Sequence, residues 1–178
     1  VKALATLLLV PSLLAVPASF ASTATPAVAA PAAGDSAGTR SGGLATIRAL
    51  FTRTGSFDAY VAASPSIWFR DRAALADEAR FAAAVRDGCF APRVLLTVGG
   101  GEDRGVRVRP GGPISQEAVD AHVRYTRMIA EARELATRLG SVPGAPGYRV
   151  EFVSFSDENH VTVVPASIAR GLTFALAR

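Results

Sequence analysis

The chain has 178 residues and a mass of 18.4 kDa, 49% apolar and 19% charged, which allows one domain and excludes a chain too polar to bury a core. Cys89 is the single cysteine, so neither an intrachain disulfide framework nor a cysteine-based zinc site can form. The net charge is +4 and the pI about 10.0, but Arg40, Arg48, Arg53, Arg70, Arg72, Arg80 and Arg86 are scattered and often sit beside acids, and no aromatic residue interleaves the one dense group, Arg104, Arg107 and Arg109, so a nucleic-acid platform is not expected.

Lys2 is followed by an apolar run, Ala3 to Val16, broken at Pro11, and by small residues at Ser19-Phe20-Ala21. This is the pattern of an export signal, and the run is shorter than the roughly 20 apolar residues that cross a bilayer. Residues 1–21 are therefore expected to be a cleaved signal peptide, and the protein to be secreted or periplasmic. Residues 22–37 are rich in Ala, Pro, Ser and Thr without periodicity and read as a tether. The folded domain is expected over 38–178.

Leu44, Ile47, Leu50 and Phe51 recur at helical spacing after Gly42-Gly43. Tyr60 to Ala63 reads as a short strand ending at Ser64-Pro65. Ala73 to Val85 reads as a helix with Leu75, Ala79, Ala82 and Val85 on one face. Arg93 to Val98 is a strand apolar on both faces, stopped by Gly99-Gly100-Gly101. Glu117 to Leu139 reads as one long amphipathic helix with Ser115 as N-cap and Gly140 at its stop. Val150 to Phe155 is the next strand. Pro165 lies in the first turn of a last helix with Ile168, Leu172 and Leu176 along one face.

Strands separated by helices predict an α/β fold with a parallel sheet of about three strands and flanking helices. Ligands in such sheets sit outside the carboxyl ends of the strands. Three loops leave those ends: Ser64 to Trp68, Gly99 to Asp103, and Ser156 to His160. His160, on the last of them, is the candidate base, and Glu102, with Asp103 beside it, the candidate carboxylate that would orient its ring. His122 lies within a helix and reads as a structural or exposed helix residue. The triple glycine is not followed by Lys-Ser or Lys-Thr, so it is not a phosphate loop. Two candidate nucleophiles remain open. Ser36 lies in a literal G-x-S-x-G, Gly34 to Gly38, but no apolar strand precedes it; Ser41 stands directly before a helix but lacks a glycine two residues upstream.

Four stretches then carry a resemblance. They are Gly42-Gly43-Leu44 through Phe51, Phe57-Asp58-Ala59-Tyr60-Val61-Ala62-Ala63-Ser64-Pro65-Ser66-Ile67-Trp68, Arg93 through Gly99, and Glu158-Asn159-His160 with Val163-Val164-Pro165. On these residues, 38–178 resembles the C-terminal half of an esterase family of the α/β-hydrolases that includes the esterase D-like proteins and the ferric-siderophore esterases. The resemblance implies a truncated α/β-hydrolase-like sheet. It places His160 on the catalytic histidine, Glu102 near the acid with Asp103 as neighbour, and Ser64 and Trp68 on the loop that rims the substrate pocket. It implies a serine mechanism without a cofactor, acting on a small ester. Separately, the basic group Arg104, Arg107 and Arg109 reads as a solvated loop or as a rim that would attract an anionic ester.

The same resemblance puts Arg40 where the serine belongs and leaves no counterpart for the upstream loop that donates an oxyanion N–H. The expectation is a serine esterase that is truncated and weakly active or inactive. The alternative is a non-enzymatic secreted domain that binds a ligand or partner through the same edge. Missing strands would leave an open sheet edge that favours self-association.

Overall fold

The computed structural model describes residues 7–9 and 42–177. The expected tether lies outside these residues, and so does the expected signal segment apart from Leu7–Leu9. In chain order the elements are β1 (Leu7–Leu9), α1 (Gly42–Thr52), β2 (Ala59–Ala63), α2 (Glu78–Arg86), β3 (Arg93–Gly99), α3 (Gln116–Thr126), α4 (Met128–Gly140), β4 (Arg149–Phe155) and α5 (Val163–Leu176). The sheet order is β1-β2-β3-β4 and every pair is parallel. The three longer strands, β2 to β4, are those legible in the sequence. β1 adds three residues, pairing Leu7–Leu9 with Ala59, Tyr60 and Val61.

Alternation along the strands divides the core between the two faces. Tyr60, Ala62, Val94, Leu96 and Val98 pack with Ile47, Leu50 and Phe51 of α1, Phe81 and Val85 of α2, and Leu135 and Leu139 of α4. Val61 and Leu95 point the other way and pack with Phe174 of α5. On that second face Thr97 and Ser167 hydrogen-bond at 2.8 Å, which lets a polar pair be buried without loss. β2 is buried throughout and β3 nearly so, while β4 is mostly half-exposed and forms the far edge.

Two expectations are corrected. The single helix over 117–139 is two. Arg127 has φ 43°, in the left-handed region, and separates α3 from α4. The helix over 73–85 is shorter. Arg70, Asp71 and Arg72 (φ 48°, 50° and 62°) form a left-handed turn, a 3-10 turn covers Ala73–Leu75, and α2 begins only at Glu78. In α2 the buried positions are Phe81 and Val85, with Ala79 exposed. The buried face of α5 carries Val163, Ser167, Gly171 and Phe174, whereas Leu172 and Leu176 are 43% and 71% exposed.

The left-handed turn is costly for non-glycine residues, roughly 1–2 kcal/mol each, so its surroundings must hold it. Arg72 donates through Nε and Nη2 to Glu131 Oε1 at 2.9 and 2.6 Å, and the Tyr125 hydroxyl donates to Asp71 Oδ1 at 3.3 Å. Glu131 is buried on α4 and also receives Arg127 Nη1 at 3.4 Å. Its hydrogen bond raises the Arg72 pKa above the ordinary arginine value, keeping that partner charged. The turn after β2 is thereby tied to the α3–α4 junction.

Candidate active site

The three loops expected at the carboxyl ends of the strands meet there. The link between the second and third is made mostly by backbone. Gly100 N donates to the Phe155 carbonyl at 2.7 Å and Gly101 N to that of Glu158 at 2.9 Å. Glycine is required for this approach. A Cβ at Gly99 would lie 2.5 Å from the Glu158 carbonyl oxygen, and one at Gly100 2.8 Å from Ser156 Cα. The triple glycine thus serves loop-to-loop packing.

The loop bearing His160 is set by Asn159. Its side-chain Oδ1 accepts from the N–H groups of Val161 and Thr162 at 2.8 and 3.2 Å, while its own N–H donates to Thr162 Oγ1 at 3.0 Å. Its carbonyl accepts from Val163 N, so the turn runs directly into α5. These contacts satisfy donors at a helix start that would otherwise lack partners.

Glu102 sits between the loops, with its side chain only 1% exposed. Oε2 lies 2.9 Å from His160 Nδ1. Oε1 accepts from the Gly99 N–H at 2.5 Å and from the Ser64 hydroxyl at 2.5 Å. With Nδ1 engaged as the donor to a carboxylate, Nε2 is the nitrogen left for proton transfer. The His160 side chain is 35% exposed, so the ring is open to a reacting partner on one side.

The other expected site residues separate cleanly. Asp103 does not reach the histidine; its Oδ1 accepts from Ile129 N at 3.4 Å, in the first turn of α4, where unpaired helix N–H groups attract a carboxylate. Ser64, expected at the substrate pocket, is buried and spends its hydroxyl on Glu102. Trp68 is half-buried, its indole N–H 3.2 Å from Met128 Sδ, with its ring edge-on to His122 at 5.5 Å and Tyr125 at 6.1 Å. His122 is exposed on α3 and meets Trp68 edge-on there rather than joining His160. Ser36 and Ser41 lie outside the described residues, as does Arg40. The start of α1 does abut the site: a Cβ at Gly43 would fall 2.2 Å from the Ala63 carbonyl oxygen and 2.9 Å from Pro65 Cα. Sequence reasoning missed two members of the cluster, the Gly99 N–H and the Ser64 hydroxyl as Glu102 partners. Among the described residues no group of three His, Cys, Asp or Glu side chains could hold a metal ion.

The siderophore enterobactin esterase of Emericella nidulans is 31% identical to this chain over 134 residues, 75% of this chain and 44% of that protein. The ferri-bacillibactin esterase BesA of Bacillus subtilis is 31% identical over 135 residues, 76% of this chain and 40% of that protein. The chain is a partial homologue of the siderophore esterases. It spans less than half the length of these curated relatives. Solved structures show a likeness of the same extent. The siderophore hydrolase EstA from Aspergillus nidulans matches with a TM-score of 0.64 at 31% identity, over 75% of this chain and 43% of that one. The BES protein from Bacillus cereus matches with a TM-score of 0.58 at 30% identity, over 77% of this chain and 42% of that one. The fold is accordingly α/β-hydrolase-like, a parallel sheet with flanking helices that corresponds to part of the siderophore-esterase fold. No family model matches the sequence.

Proposed function

We propose that this chain carries the acid–base half of a serine ester hydrolase site, of the kind that cleaves siderophore esters, and that by itself it turns over little or no ester. The observation that carries the proposal is the Glu102–His160 contact at 2.9 Å, at the carboxyl ends of parallel strands. In a competent site, a serine hydroxyl attacks the ester carbonyl while His160 Nε2 takes its proton. The proton then goes to the departing alcohol as the acyl-enzyme forms, and water hydrolyses that ester by the same route. Glu102 holds the Nδ1–H and stabilises the imidazolium. The nucleophile is Ser36 or Ser41 if the chain supplies one, and Arg40 at the position implied for the serine argues against turnover.

A small anionic ester is the proposed ligand class, supported by Arg104, Arg107 and Arg109 on the loop that follows Glu102. Export to the periplasm or outside the cell is proposed from the leader pattern of residues 1–21. Among the described residues, no helix is long and apolar enough to cross a membrane. Among the described residues the sheet edge at β2 is paired with the short strand Leu7–Leu9, and this short cover supports a proposal of self-association.

A short-chain ester assay on the wild type beside Ser36→Ala, Ser41→Ala and His160→Ala tests the reading. Rates indistinguishable from buffer in all four are expected. Robust wild-type turnover, lost in His160→Ala and in one serine variant alone, would overturn the predicted inactivity and identify the nucleophile.

A further inference from the structure

Ser64 stands out among the buried polar side chains because its backbone is left-handed while its hydroxyl is committed to a carboxylate. It follows the last residue of β2, its N–H donates to the Thr97 carbonyl at 2.7 Å, and its φ of 43° lies in the left-handed region. A serine there costs more backbone energy than a glycine would. Glycine is the residue to expect if the position were only a turn. What serine adds is one hydroxyl, and that hydroxyl donates to Glu102 Oε1 at 2.5 Å.

The consequence for His160 follows from the geometry of a carboxylate. Glu102 Oε1 is held from two directions, by the Ser64 hydroxyl and the Gly99 N–H, and Oε2 meets His160 Nδ1. Two donors on one oxygen fix rotation of the carboxylate about its terminal bond, a torsion that is otherwise broad. A fixed carboxylate plane fixes the direction in which Oε2 accepts, and hence the imidazole tautomer and orientation. Gly99 lies three residues from Glu102 on the same loop, so its contact is local. Ser64 comes from a different strand, 38 residues away, and ties the acid loop to the end of β2.

We propose that Ser64 is a positioning residue for Glu102, holding the carboxylate so that His160 stays in its Nδ1–H form. This deepens the hydrolase reading of the same site and rests on it, but its test needs no turnover.

The experiment uses the full chain labelled with 15N-histidine, in the wild type and in Ser64→Ala and Ser64→Gly. Nitrogen shifts and couplings of the neutral rings report each tautomer, and His122 serves as internal reference. Ser64→Gly suits the left-handed backbone, so it preserves the fold even if Ser64→Ala does not. The expected result is a ratio of Nδ1–H to Nε2–H at His160 that falls at least twofold in Ser64→Gly, and in Ser64→Ala where it folds, with His122 unchanged. An unchanged His160 ratio in Ser64→Gly would overturn the proposal. So would a change confined to Ser64→Ala, which would assign the effect to backbone conformation. An esterase assay that shows no turnover bears on the hydrolase reading and leaves this result standing.

Discussion

Gly99 approaches the carbonyl of Glu158 so closely that a Cβ between them would lie 2.5 Å from its oxygen. That oxygen is part of the backbone and cannot swing aside as a flexible side chain can. Gly99→Ala is therefore expected to cost about 1–3 kcal/mol by overpacking and to displace the loop that bears His160. Gly140→Ala is the control. It is the last residue of α4, and the added methyl meets only Val150 Cβ at 3.8 Å. It should be neutral or stabilising, by up to about 1 kcal/mol. Urea unfolding of the two variants checks both signs.

The two apolar stripes of α5 should behave oppositely. Phe174 is 2% exposed and lies under the Arg149 guanidinium, 4.6 Å from its ring centroid. Phe174→Ala should cost about 3–5 kcal/mol. Leu176 is 71% exposed, and Leu176→Ser should stay within about 0.5 kcal/mol of the wild type. Equal losses in thermal denaturation would contradict the observed orientation of the helix.

That orientation also marks a limit of sequence reading. Both stripes of α5 are apolar enough to be a core face, and hydrophobicity favours the larger leucines. The side with Ser167 and Gly171 is the one that packs on the sheet, because a small-residue face permits close approach and Thr97 supplies a partner for Ser167. The strands around Val61, Leu95 and Phe152 were legible because an apolar run between turn residues has few other readings. The break at Arg127 was not, because neither proline nor glycine marks it, and the Glu131 and Glu134 carboxylates that receive its guanidinium are recognised only once the helices are placed. At the site, loop position at a strand end pointed to Glu102 and His160. The division between Glu102 and Asp103 depends on α4 arriving at Asp103, and the role of Ser64 depends on a contact spanning 38 residues.

Arg70 offers a test of the left-handed turn. It is exposed and has φ 48°. Arg70→Ala and Arg70→Gly both remove the guanidinium and differ only in backbone freedom. In an ordinary helix glycine is the less stable by about 1 kcal/mol. Here the order should invert, with Arg70→Gly the more stable by about 0.5–1 kcal/mol. The ordinary order in paired melts would show that the turn is not left-handed in solution.

Tyr148 predicts an alkaline limb of stability. Its hydroxyl donates to the Leu139 carbonyl at 2.7 Å, and burial pushes its pKa from 10.0 up to about 12. A folded pKa above the unfolded one stabilises the protonated phenol. That contribution is complete below pH 10 and is lost as pH rises toward about 12. Tyr148→Phe should cost about 1 kcal/mol at neutral pH and show a shallower loss over the alkaline range. Some slope should persist from Tyr60, whose pKa burial also raises. Identical slopes in wild type and variant would contradict the assignment.

Whether Glu102 and His160 act as a built acid–base pair is read most directly from the tautomer of His160 in wild type and in Glu102→Gln. In the wild type the carboxylate accepts from Nδ1, so neutral His160 should be chiefly Nδ1–H, while exposed His122 should show a mixture dominated by Nε2–H. In Glu102→Gln the Gly99 N–H, a donor only, should keep the amide oxygen on its side. The amide NH2 then faces Nδ1, which must accept, and His160 should switch to Nε2–H. That switch is the expected result, read from the ring nitrogen shifts of the 15N-histidine-labelled protein, with His122 unmoved. A wild-type His160 already dominated by Nε2–H, or one whose tautomer is the same in both proteins, would contradict it.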